Sequence, residues 1–130
     1  MSLRQPGTPI TSPVDVRKAE FFRALGHPAR IRLLQILCGG ERTVRALQAE
    51  LGLDSGGTSQ HLAALRKQGL VTGRREGTSV HYRLKDPRVL DLLESAKAIL
   101  VAGLEEHRAL LDEFADEELG APPADTEPRP

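Results

Sequence analysis

Side chains able to do covalent or acid–base chemistry are few in this chain, and they are scattered. There is one cysteine, Cys38, and four histidines, His27, His61, His81 and His107. Their spacing assembles no Ser/His/Asp or Cys/His set, and neither a glycine-rich phosphate loop nor a close carboxylate pair is present, so an enzyme is not expected. A single cysteine also excludes an internal disulfide framework and an all-cysteine zinc site within one chain. No metal site and no cofactor are expected.

What remains is hydrogen-bonding and cationic chemistry in two blocks. The first runs from Ser55 to Lys67, Ser-Gly-Gly-Thr-Ser-Gln-His-Leu-Ala-Ala-Leu-Arg-Lys. Wound as a helix at about 100° per residue, it turns Leu62, Leu65 and Thr58 to one side. Gly56, Gln60, Ala63, Ala64 and Lys67 then face outward, with Ser59 flanking them. An outward glutamine amide can bond adenine at two atoms, and the methyl group of Ala63 can meet a thymine methyl. Ser55 and Ser59 can reach bases or phosphates, whereas Arg66 and Lys67 suit phosphate. His61 stands at the edge of the buried side, where a structural or phosphate-positioning role outweighs metal ligation. The second block is Arg74-Arg75-Glu76-Gly77-Thr78-Ser79. Two arginines beside a tight tip, with Thr78 and Ser79, suit phosphate contact or entry into a narrow minor groove.

The charge distribution agrees with such a partner although the formal net charge is zero. Residues 1–85 carry 14 Lys/Arg against 6 Asp/Glu, and residues 86–130 carry 4 against 12. A basic body joined to an acidic C-terminal part is expected when only one face meets phosphate.

Five helices and one hairpin are needed to hold these blocks. Ser12-Pro13-Val14-Asp15 opens the first helix, which stops at Gly26. The second begins at His27-Pro28 and ends at Cys38-Gly39-Gly40; there the negative helix end disfavours a thiolate, and Cys38 reads as a packing residue rather than a redox sensor. Thr43 caps a short third helix carrying Val44, Leu47 and Leu51. The fourth follows the turn Gly52-Leu53-Asp54-Ser55 and closes at Gly69, with Leu70 folding back on Leu65. Gly56-Gly57 in its first turn costs helix stability, which leaves two readings open: a frayed turn, or close approach of backbone amides to phosphate. Residues 70–75 and 79–84 alternate as a hairpin. The last helix starts at Asp86-Pro87 and continues to about Phe114. Residues 1–11 and 116–130 read as disordered tails around one domain, 12–115.

The expected fold is therefore mostly α with a small β-hairpin: a winged helix-turn-helix of five helices plus a two-stranded wing. Three segments carry a family resemblance: Phe22-Arg-Ala-Leu-Gly-His-Pro-Ala-Arg-Ile-Arg-Leu-Leu, Ser59-Gln-His-Leu-Ala-Ala-Leu-Arg-Lys-Gln-Gly-Leu-Val and Arg74-Arg-Glu-Gly-Thr-Ser-Val-His-Tyr-Arg-Leu. In order and spacing they resemble the ArsR/SmtB family of bacterial repressors over about residues 15–115. The resemblance implies a homodimer that binds a double-stranded operator and responds to an effector. The family's two common metal sites do not carry over. Its thiolate site needs Cys-x-Cys where this chain has Thr43-Val-Arg-Ala-Leu. Its last-helix site needs Asp-x-His where this chain has Asp86-Pro87-Arg88, with Ile99 and Ala102 at the later ligand positions. The effector stays unidentified.

The last helix supplies the expected means of pairing. Val89, Leu93, Ala96, Leu100, Gly103, His107, Leu110 and Phe114 repeat at alternating spacings of four and three, the pattern of helices packed lengthwise. Phe21 and Phe22 of the first helix are expected to join this interface, and His107 to be buried in it. No apolar run approaches the roughly 18 residues that span a membrane, and the N-terminus lacks a charged-then-apolar leader, so a cytoplasmic location is expected. The alternative function is a winged-helix module that binds protein; the basic wing and outward Gln60 oppose it.

Overall fold

A computed structural model describes residues 12–118. The elements are α1 (Pro13–Leu25), α2 (Pro28–Leu37), β1 (Arg42–Thr43), α3 (Val44–Leu51), α4 (Ser55–Lys67), β2 (Val71–Glu76), β3 (Ser79–Leu84) and α5 (Arg88–Glu118). Helix boundaries follow local capping chemistry. Ser12 and Thr43 accept from the amides of Asp15 and Ala46, and His27 Nδ1 accepts from Ala29. Each satisfies an amide that the first helical turn leaves without a backbone partner.

The ends of α3 and α4 are set by glycines in the left-handed region, Gly52 (φ 68°) and Gly69 (φ 74°). After α4, the Leu70 amide bonds Leu65 O at 3.1 Å and the Gly69 amide bonds Arg66 O at 2.9 Å. These are the paired bonds of a Schellman stop. Leu70 is thereby folded into the core beside Leu65, and the chain is delivered directly into β2. The Lys85 amide then bonds Leu70 O, closing the base of the hairpin.

Helices α2, α3 and α4 pack on one another and on the sheet. With aromatics at 3% of the chain, leucine fills the core: Leu33, Leu34, Leu47, Leu62 and Leu65 are fully enclosed. Burial of each such side chain contributes about 1.5–3 kcal/mol. Thr58 is also enclosed, and its hydroxyl donates to Asp54 O at 3.0 Å, which removes the cost of burying it.

The hairpin is joined by a third strand that the sequence reading did not include. β1 pairs with β3 (Arg42↔Tyr82, Thr43↔His81), giving an antiparallel sheet of order β1-β3-β2. Two residues are too short to show alternation, so only the tertiary pairing reveals the strand. The chain divides after Leu90 into two units, the second being the body of α5 from Asp91. That helix reaches Glu118, past the expected end near Phe114 and into the segment read as tail from residue 116. The expected tail segments 1–11 and 119–130 lie outside the described residues.

Candidate nucleic-acid interface

Helix α4 is built to hold a polar face outward. Asp54 caps it, its Oδ1 accepting from the Gly57 amide at 2.7 Å. Thr58, Leu62 and Leu65 anchor its inner face. Ser55, Gly56, Ser59, Gln60, Ala63, Arg66 and Lys67 are all exposed, as the helical spacing requires. Gly56 has open space where a Cβ would stand, its nearest neighbour being Asp54 Oδ1 at 3.9 Å, whereas a Cβ at Gly57 would press on that carboxylate oxygen at 3.0 Å.

Beside α4 lies an open cleft of about 470 Å³, walled by α3, the start of α4 and the hairpin tip. It gathers Ser55 and Ser59 of α4 with Thr78 and Ser79 of the hairpin, four residues singled out from sequence. It also brings in Thr43, Arg45 and Gln48, which the sequence reading missed. Arg45 is exposed on α3 two residues after a capping threonine. A cationic outward position on the helix before the reading helix was the available signal.

Tyr82 fixes the hairpin relative to α4. Its ring is buried against Gly73 on the paired strand, where a Cβ would come within 2.9 Å of the ring. Glycine is required there because an aromatic lies across the strand. The Tyr82 hydroxyl accepts from Arg66 Nη1 at 3.2 Å. Arg66, read as a phosphate contact, is thus also a tie between α4 and the hairpin.

Two further residues differ from their expected surroundings. His61 is half-buried, with Nδ1 accepting from Arg30 Nε at 3.1 Å and its ring 4.3 Å from that of His27. Its pKa is lowered by burial first, then by His27 and Arg30. The side chain is held against α2 as a neutral acceptor, the structural half of its expected role. Arg74 is held by carboxylates: Glu41 Oε2 at 2.7 Å, Glu41 Oε1 at 3.3 Å and Glu76 Oε2 at 3.1 Å. These partners lower the Glu41 pKa and raise that of Arg74, the direct hydrogen bond being the largest cause for each. Arg75 is exposed with no such partner among the described residues.

Of the expected pairing residues, Val89 is buried within its own chain at 4% exposure and belongs to the chain's own core. Its position in the heptad matched the seam, but the start of α5 is covered before the seam begins. Phe21 and Leu93 are half-buried, while Phe22, Ala96, Leu100, Gly103, His107, Leu110 and Phe114 are exposed. Ile99, Leu104 and Leu111 widen the exposed apolar face beyond the single stripe. Cys38, expected in the core, is exposed at the C-terminus of α2. Asp86 is taken up by Arg88, through bonds of 2.9 and 2.7 Å to the guanidinium. This pairing holds its pKa down at about 2.

Comparison with known proteins places this arrangement. Residues 27–72 match the model of the arsR family of bacterial regulatory proteins. An HTH-type transcriptional regulator of Mycobacterium tuberculosis is 38% identical over 105 residues, covering 80% of this chain and 92% of the relative. A crystal structure of that mycobacterial protein superposes with a TM-score of 0.69, covering 75% of this chain and 98% of the other. A probable mercury resistance operon repressor of Streptomyces lividans is 39% identical over 98 residues, covering 75% of this chain and 77% of the relative. The solution structure of a homodimeric winged helix-turn-helix DNA-binding domain from Mycobacterium bovis is 31% identical, with a TM-score of 0.65 over 79% of this chain and 96% of that one. The identities, the coverage and the shared winged helix-turn-helix architecture agree: this chain belongs to the ArsR family of bacterial regulatory proteins.

Proposed function

We propose that this protein is a transcription regulator, a repressor, that binds a near-palindromic double-stranded operator as a homodimer. The observation that carries the reading is the exposed polar surface running from the cleft onto α4. Ser55, Ser59, Thr78 and Ser79 converge at the cleft, and Gln60, Ala63 and Lys67 continue the surface outward. A recognition helix enters the major groove with its N-terminal residues against base edges, so Gln60 reads a base while the flanking hydroxyls and Lys67 position the backbone. Arg45 and Gln48, facing the same cleft, add backbone contacts. The Mycobacterium bovis neighbour is a homodimer. Two copies paired through the exposed face of α5 present two such surfaces to successive half-sites.

The family's last-helix metal site does not carry over to this chain, since Asp86 pairs with Arg88 and Ile99 at a later ligand position offers no donor. The test of function is binding to a duplex selected from a random library by the wild type. Gln60→Ala should lose about 1–3 kcal/mol on that duplex and bind a mixed-sequence duplex as before. A wild type that retains no duplex at low salt favours the protein-binding alternative.

A further inference from the structure

The two wing arginines are adjacent and alike in sequence, but their surroundings divide them. All three guanidinium nitrogens of Arg74 are occupied by carboxylates, two by Glu41 and one by Glu76. His81, directly across the hairpin from Arg74, stands between the same two acids, 3.5 Å from Glu41 and 3.6 Å from Glu76. Glu41 immediately precedes β1, and Thr43 at the end of β1 caps α3. The cluster therefore joins the loop leading into α3 to both strands of the wing.

Arg75 lies on the opposite face of the hairpin. Strand alternation puts it with Val80 and Tyr82, which line the cleft beside α4. It is exposed, and no carboxylate among the described residues holds it.

We infer that Arg74 is a positioning residue that latches the wing to Glu41, and that Arg75 is the arginine of the wing that meets DNA phosphate. The inference rests on the DNA-binding reading above. Three of the five guanidinium N–H groups of Arg74 are given to two acids whose charge offsets its own, so a phosphate must compete with those charge-assisted bonds and gains less there. An unpaired guanidinium releases counterions on binding and so contributes to the salt dependence. Glu41 is then a determinant of wing orientation, although it carries the same charge as DNA.

The experiment measures affinity across salt for the full chain on the selected duplex and on a mixed-sequence duplex, with thermal melting to verify folding. Arg75→Gln should reduce the slope of log affinity against log salt by about 0.9 per lost contact. Arg74→Gln and Glu41→Gln should each weaken binding several-fold with the slope unchanged. Arg74→Glu should weaken it further, and adding Glu41→Arg should restore most of the loss by rebuilding the pair in reverse. Three results overturn the assignment: a slope reduced by Arg74→Gln as by Arg75→Gln, tighter binding by Glu41→Gln, or no rescue in the reversed pair. A wild type that binds neither duplex removes the DNA-binding reading, and this assignment with it.

Discussion

His61 illustrates how a residue in the reading block can serve the fold. Arg30 donates to its Nδ1, so the bonded form is the neutral ring, and burial disfavours the charged one. Its folded pKa lies below the ordinary value of 6.5. The folded protein therefore binds fewer protons than the unfolded chain as pH falls through that value, and stability is lost on acidification. His61→Gln, which keeps an acceptor for Arg30 but cannot charge, should melt with a shallower decline between about pH 7 and pH 5 than the wild type. Equal declines in the two melting series would remove His61 from this account. Gly73 acts at the same scale, since its missing Cβ is what lets the Tyr82 ring lie on β2 and reach Arg66.

At the scale of the element, the first turn of α4 poses a choice between folding and function. Gly56 is in ordinary helical backbone with open space at its Cβ position, so nothing in the fold requires glycine there. Gly56→Ala should stabilise the protein by about 0.5–1 kcal/mol, measured by denaturant unfolding. If the glycine admits a phosphate close to the backbone, the same variant should bind DNA more weakly despite its greater stability. Unchanged affinity would leave only the frayed-turn reading. Gly57 is different, because a Cβ there would crowd the Asp54 cap oxygen that its own amide bonds. Any gain in helix propensity at Gly57 is opposed by that crowding.

For the whole molecule, the deciding feature is α5. Its 31 residues extend about 46 Å. Leu100 is 66% exposed, Leu104 68% and Phe114 57%, and exposed apolar side chains clustered on one helix mark an interaction surface. In the homodimer proposed above, a second copy covers this face. Leu100→Asp would place an unpaired charge in that interface and should yield monomers by sedimentation at micromolar concentration. Operator binding should fall severely although α4 and the wing are untouched, because each copy then holds one half-site. Gly103→Leu should act similarly, since the space beside the helix at its Cβ position is open among the described residues and the added side chain would project into the proposed interface. A monomeric wild type, or a Leu100→Asp protein with normal operator binding, would contradict the dimer.

Local physics made much of this protein legible from its sequence. Ser12, Thr43, Gly52 and Gly69 mark helix ends because caps and left-handed glycines act over three or four residues. Most of the outward set on α4 followed from the helical period, once Leu62 and Leu65 identified the inner side, but Ala64, expected outward, is half-buried. What the sequence could not determine was which charges and apolar groups are already used. Arg74 and Arg75 are adjacent and chemically identical, yet only Arg74 meets Glu41, which is 33 residues away in the chain. Val89 fits the heptad as well as Leu100 does, yet Val89 is covered by its own chain. Likewise β1, two residues long, exists only because β3 offers it a free edge. Periodicity fixes the direction of a side chain from its own element; tertiary contact decides whether anything waits there.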